Sequence, residues 1–539
     1  MKAKAADTWA YGELGLYHPG LFLSDSFAGI PWEVDLASPV GVGALDYPFA
    51  AQPVPGGLAR TLRIATFQHE TAHYVQDLCL GASLAADQLT DEAGDAILQS
   101  LAILAHSGGV SLPVRQQDLP RFHNRNAAAM LSRAHQHHKA GRKLVGDQPM
   151  NPEKSQLWQI PAVGQISGRD NPIATLSPRF LLEGIAAVQT CKALVERATS
   201  GELEYLASNK HELPILPEEL SSTYSTARRL FDLCLGPLMG TTQQYADDWP
   251  HGYWQSARAY ADAGFLFLAD IALHVPPPGL MAHLIEAGDH AQEDFDPAIR
   301  FCRAIESLVL HGGFPTDNIS GDDFYRLVFD SFAHDPDLHW PTLKTTNDAW
   351  IRFTGGRKLA FRLTSDGYRF RLLVTRDKRP STGIVMQNPV TACREQAIPI
   401  FHRTPTGWKV IQHAGSVLFP WEGGDLDAYG AFGRPFVPWQ DQEGVTVHDA
   451  IEATTQYAPQ LERELIHRSL FVTFQDAVLE EDHYSCPFAS RGCRVAVPGC
   501  SAITEPALIP TAGCSLRDFL TRHRVVVENL HWNKEIKRG

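Results

Sequence analysis

The sequence predicts an α+β protein: a mostly helical N-terminal part, then a β-containing C-terminal region and a Cys-rich segment. Three observations lead there. Residues 85–330 read as helices separated by Pro/Gly segments. After about residue 345 the pattern changes to alternation of apolar with polar residues. Four of the nine cysteines then fall within 29 residues in turn-rich sequence.

In chain order, residues 1–56 are rich in Gly, Pro and aromatics and read as short strands and loops. A helix is predicted from about Leu58 to Leu80, stopping at Gly81. The helical part that follows is broken near Ser107–Pro120, Gln159–Pro178, Leu213–Leu220 and Pro276–Gly279. Strand signals come from Trp350–Phe353, Leu359–Leu363 and Tyr368–Leu372, with Gly355-Gly356 and Asp366-Gly367 between them as hairpin turns. Boundaries are expected near 340 and 425, giving residues 1–340 as a helical domain, 341–425 as a β-rich domain and 426–539 as an α/β Cys-rich region.

The chain has 539 residues and a formal charge of −14, from 47 basic and 61 acidic residues. That balance argues against sequence-independent nucleic-acid binding, which needs a basic surface. The N-terminal MKAKAADTWAYGELGLYHPG has no apolar run of the secretory type. The longest apolar stretch, Ala263 to Val275, is too short for a membrane span and carries Asp270, so it reads as a buried helix. The nine cysteines do not form a secreted disulfide framework. A cytoplasmic location with no membrane association is the expectation.

The chemistry concentrates in His69-Glu70-Thr71-Ala72-His73. Histidines four apart on a helix lie about 40° apart around its axis, so both imidazoles point to one side and can share a metal. The glutamate between them can take a proton from activated water and pass it to a leaving group. Leu62, Thr66, His69, His73, Gln76 and Leu80 form one helical stripe. Ile64, Phe67, Thr71, Val75 and Leu78 form the opposite one, which can bury while the first faces a cleft. A catalytic zinc needs a third protein ligand and an open position. Glu183 is one candidate, in a helix that Ser177 can cap with Pro178 at its first position. Gly184, Ala186 and Ala187 would let that helix pack close to the HExxH helix. Glu92 is the other candidate. It is read as lying in the first turn of its helix, where an acid also serves the helix dipole.

His69 to Asp77, followed by Glu183-Gly184-Ile185-Ala186, resembles the gluzincin clan of zinc metallopeptidases. More narrowly, it is similar to bacterial proteins with an HExxHxxQ helix and a later EGxA helix. The resemblance covers about 40 of the 539 residues. It implies a zincin-like domain with a catalytic Zn²⁺ on His69, His73 and Glu183, and Glu70 as general base. The eighteen residues between His73 and Glu92 resemble the aminopeptidase branch of the clan. Two departures stand out. Between His73 and Glu183 lie 109 residues, which requires inserted helices. In addition, thermolysin-like members have an Asp four residues after the ligand Glu to orient a ligand His, where this chain has Ala187. Gln76 or Asp77 would have to serve instead.

Three further clusters complete the reading. Trp249-Pro250-His251-Gly252-Tyr253-Trp254, with Arg258 and Tyr260, is a source of oxyanion donors or simply an aromatic helix start. His135, His137 and His138 lack the spacing for one metal and read as a solvated face. Cys486, Cys493, Cys500 and Cys514, spaced C-x6-C-x6-C-x13-C, can close a structural site for a second Zn²⁺, with His483 as an alternative ligand. The expectation is an intracellular zinc endopeptidase acting on a protein or peptide substrate, with the C-terminal half open to a regulatory protein partner. An aminopeptidase using Glu92 and a non-enzymatic, metal-stabilised interaction protein are the alternatives.

Overall fold

The computed structural model describes residues 80–197 continuously, His73 and Gln76 before them, 199–202 and 204 in part, 222–238 and 256–313. It also describes five strands at 21–23, 400–404, 407–412, 427–429 and 435–438, scattered positions at 340–349 and 475–479, and most of 520–532. These residues are predominantly helical, as the sequence predicts.

Among the described residues, seven helices of nine residues or more carry the structure: α1 (Gly81–His106), α2 (Arg125–Val145), α3 (Pro178–Arg197), α4 (Ser222–Leu235), α5 (Ser256–Leu273), α6 (Pro278–Glu286) and α7 (Pro297–Leu310). The predicted breaks at 107–120, 159–178 and 276–279 all separate helices. The one at Leu213–Leu220 and the predicted strands between 350 and 372 lie outside the described residues. Among the described residues no single helix is long and apolar enough to cross a membrane.

His73 and Gln76 are helical, and the Leu80 N–H donates to the Gln76 carbonyl at 2.9 Å. Leu80 is then extended, with φ −87° and ψ 131°, and Gly81 opens α1. Gly81, read as a helix stop, instead opens a helix, and the predicted helix from Leu58 lies outside the described residues apart from His73, Gln76 and Leu80. A Cβ on Gly81 would stand 2.1 Å from the Val275 carbonyl oxygen, so only glycine fits where the chain turns against the end of α5. Because α1 begins there, Glu92 lies in its interior, which corrects its expected place in a first turn.

Helices α1 and α2 pair antiparallel: Gly141 lies against Ala86 and Leu89, and His137 against Glu92. Asn124 caps α2 by accepting from the Ala127 N–H at 3.0 Å. One face of the pair buries Ile97, Leu98, Leu101, Leu104, Leu131 and Ala134. The other wall of that core comes from far along the chain, from Val478, Leu479, Leu520, Val525, Val527 and Leu530. Strand β2 (Val110–Leu112) pairs in parallel with β7 (Leu530–Trp532), and Asn529 donates to the Ala105 carbonyl at 2.6 Å.

Helices α3, α4, α5 and α7 form the second packing unit. Its centre is a row of fully buried rings, Phe231, Phe265 and Phe301, meeting edge to face at 5.9 Å in each pair. Each such ring stabilises the fold by roughly 1.5–3 kcal/mol through burial, with a smaller increment of about 0.5–1.5 kcal/mol per aromatic pair. Gly184 lets α3 approach this row, since a Cβ there would meet the Phe265 ring at 3.0 Å.

Two buried arginines lock the unit. Arg300 donates to the carbonyls of Ala272, Ile271 and His274, closing the end of α5, and stacks 3.9 Å from the Trp340 ring centre. Arg228 on α4 is held by Asp232 and by Asp262 of α5. Burial alone would make its guanidinium easier to deprotonate, but the two carboxylates outweigh it and hold the charge firmly.

Outside the helices, β1 (Leu21–Leu23) pairs in parallel with β3 (Ile400–Thr404), which forms an antiparallel hairpin with β4 (Gly407–Gln412). Strands β5 (Asp427–Tyr429) and β6 (Pro435–Pro438) form a second antiparallel pair. The β3–β4 hairpin falls within the segment read as β-rich.

Candidate metal centre

Helix α3 begins at Pro178, whose fixed φ and missing N–H suit a first helical position. The expected side-chain cap is not made. The Ser177 hydroxyl is buried and has no hydrogen-bond partner among the described residues. The helix start is tied down through its backbone instead, by the Arg179 N–H donated to the carbonyl of Gly146 at 3.0 Å. This places Glu183 on the second turn of α3, between the buried Leu182 and the small Gly184.

There Glu183 meets His73. Its Oε2 stands 3.2 Å from His73 Nε2, across 110 positions of sequence. The two side chains keep 14% and 10% of their surface, so the pair is shielded but reachable. On the other side of the ring, His73 Nδ1 lies 2.8 Å from Gln76 Oε1. The Gln76 amide nitrogen donates to the Leu182 carbonyl at 2.8 Å. Arg179, half exposed at the rim, donates from Nε to Glu183 Oε1 at 3.5 Å. One imidazole and one carboxylate, each braced from behind, thus converge on one point.

The contact has the length of a His–Glu hydrogen bond, and it also suits two ligands of one metal ion. Two ligands each about 2.0–2.2 Å from a tetrahedral zinc stand roughly 3.3–3.5 Å apart, close to the separation found here. Among the described residues no group of three metal-ligating side chains is present. His69, Glu70 and Asp77 lie outside the described residues, as do Cys486, Cys493, Cys500, Cys514 and His483.

Glu92 is in a different place. Its carboxylate accepts from Gln88 Nε2 at 2.9 Å and stands 3.3 Å from His137 and 3.7 Å from Arg133. It lines a cavity of 680 Å³ between α1, α2, α6 and residues 148–154, whose lining includes neither His73 nor Glu183. The histidine run is less solvated than the sequence predicts. His135 Nε2 contacts the Val114 carbonyl at 2.8 Å, and His137 is half-buried against Glu92. The stretch 249–255 lies outside the described residues, while Arg258 and Tyr260 fall in α5.

What composition could not show is the Gln76 relay. The signal for it was the glutamine one turn beyond the second histidine, on the same stripe. Comparison with protein-family models, with curated proteins and with solved structures finds no match to this chain.

Proposed function

We propose that the chain is a zinc-dependent hydrolase, an endopeptidase of gluzincin type with a zincin-like helical domain. The observation that carries this reading is the 3.2 Å approach of His73 Nε2 to Glu183 Oε2. The sequence singles out these two residues as ligands on independent motifs, and folding brings them together across an insert of several helices. With His69, four residues earlier in the sequence, they would complete a His, His, Glu set that leaves a position for substrate. A zinc ion held there supplies Lewis-acid activation of water and of a carbonyl.

The protein side of the chemistry belongs to Glu70, adjacent to His69. Glu70 takes a proton from the attacking water and returns it to the departing amine nitrogen. Arg179, half exposed at the rim, holds Glu183. The aminopeptidase alternative through Glu92 draws no support from the geometry, because Glu92 is engaged by Gln88, His137 and Arg133 elsewhere. A second, structural zinc on Cys486, Cys493, Cys500 and Cys514 remains part of the proposal.

Elemental analysis of the full chain tests the assignment. His73→Ala and Glu183→Ala are expected to lose one zinc per chain, and Glu92→Ala to keep it. A zinc kept in those two variants but lost in Cys486→Ala belongs to the cysteine cluster. Glu70→Gln should keep its zinc and lose cleavage of an unfolded protein such as denatured casein. Glu183→Ala with full zinc, or Glu70→Gln with full cleavage, overturns the reading.

A further inference from the structure

We infer that Gln76 is a positioning residue that fixes His73 in the tautomer whose Nε2 lone pair faces Glu183. This rests on the metal-site reading, but its first half can be tested without metal. Gln76 is 0% exposed, so water does not satisfy its amide. A carboxamide has one accepting end and one donating end. The Leu182 carbonyl can only accept, so the NH2 end must point to it, as the 2.8 Å contact requires. The oxygen end is then committed to His73 Nδ1, also at 2.8 Å. An acceptor in that position requires a proton on Nδ1. In the neutral ring Nε2 then carries the lone pair.

Glu183 Oε2 is also an acceptor when ionised, and it stands 3.2 Å away. Two lone pairs held face to face at that distance in a shielded site repel unless a proton or a metal ion lies between them. The Gln76 relay therefore presets a pair that takes up a proton or a metal ion between its members, where a free imidazole would rotate or change tautomer to donate directly to the carboxylate.

The second consequence is geometric. Leu182 immediately precedes Glu183 in α3, so one buried amide sets both the orientation of the imidazole and its distance from the carboxylate. Ala187, one turn beyond Glu183, is buried and has no side-chain acceptor to share this task. Loss of such a supporting hydrogen bond commonly weakens metal binding by about 10–100-fold.

The test uses the full-length chain with 15N-labelled histidine, metal-free, in wild type and in the Gln76→Met and Gln76→Glu variants. Two-bond 1H–15N correlations report which ring nitrogen is protonated, and His73→Asn identifies the signal by its disappearance. Wild type is expected to show protonated Nδ1. Gln76→Met should lose that preference and bind zinc roughly 10–100-fold more weakly against a chromophoric chelator. Gln76→Glu offers Nδ1 an acceptor again but turns a second acceptor toward the Leu182 carbonyl. It should recover the tautomer while binding zinc more weakly than wild type. Nδ1 without a proton and Nε2 with one in wild type overturns the inference, even if the variants fail to fold. So does a Gln76→Met variant with unchanged tautomer and zinc affinity. Wild type with protonated Nδ1 but no zinc binding leaves Gln76 in its role and removes the metal reading instead.

Discussion

The carbonyl oxygen of Val275 occupies the space a side chain on Gly81 would need, 2.1 Å from the Cβ position. This contact fixes the corner at which the chain enters the long helix α1. Gly81→Ala must displace the end of α5 or the corner itself. A loss of roughly 1–3 kcal/mol, or more if the backbone cannot move, is expected in chemical denaturation. Because the neighbouring Leu80 N–H is bonded to the Gln76 carbonyl, weakened zinc binding should accompany it. Gly279→Ala is the control. Nothing lies within 4 Å of that Cβ position in α6, so the variant should be neutral or gain up to about 1 kcal/mol.

Arg300 closes the carbonyl end of α5 from inside the core. Arg300→Met removes donors from carbonyls that water cannot reach, along with the charge stacked on Trp340. A destabilisation of about 3–5 kcal/mol is expected, read as a lower denaturation midpoint. Arg300→Lys keeps the charge but cannot reach all the carbonyls with one ammonium, and should fall between. A midpoint for Arg300→Met within error of wild type would show that the cap is dispensable.

Acid should destabilise the α1–α2 pair. Burial, the largest influence, lowers the pKa of His135 below 6.5, with a smaller lowering from His138 and an opposing effect of the Val114 carbonyl. His137 is also lowered, chiefly by burial and secondarily by Arg133, against the opposing pull of Glu92. A histidine whose folded pKa is depressed leaves stability unaffected well above 6.5. As pH falls through 6.5 the unfolded chain takes up protons first, and stability declines until the folded pKa is passed. The midpoint temperature should therefore drop between pH 7.5 and 5.5, and drop less in His135→Gln/His137→Gln. An equal drop in both proteins would assign acid sensitivity to other groups.

The buried thiols should be inert in the native protein. Burial, reinforced by Glu306, pushes the Cys234 thiol up to about 12, and Cys302 is likewise raised, mainly by burial. At pH 8 only about one Cys234 in ten thousand is then thiolate, the reactive form. Brief iodoacetamide treatment followed by peptide mapping should leave Cys234 and Cys302 unmodified in native protein and label both in denaturant. Rapid native labelling of Cys234 would show that α4 opens locally.

Much of the candidate site was legible because its chemistry is local. The i,i+4 histidines, Pro178 as a helix start and the small residues after Glu183 are all short-range signals, and they led to the His73–Glu183 pairing. Gly81 was read as a helix stop, whereas it opens α1, and the demand for glycine there comes from Val275, nearly two hundred positions away. Glu92 was misplaced for the same reason, since moving the helix start to Gly81 puts it mid-helix. Gln76 was legible as one of two residues able to orient a ligand histidine, but its hold on the Leu182 carbonyl was not, because that partner is main chain and leaves no trace in side-chain identity. The core contribution of Val478, Leu520, Val525 and Leu530 was likewise unreadable, because short apolar segments do not announce which distant face they cover.

The hydrogen bond from Asn529 to Ala105 spans 424 positions, and the one from Gln475 to Thr90 spans 385. These separations impose a timetable on the nascent polypeptide. At ribosomal speeds of about 5–20 residues per second, roughly 20–85 s elapse between synthesis of Ala105 and of Asn529. Throughout that interval the face of α1 carrying Ile97, Leu101 and Leu104 lacks its far wall. The growing chain must shelter that surface from other unfinished chains, which makes it a natural point of engagement for holding chaperones and a place where slowed translation would lower the yield of folded protein.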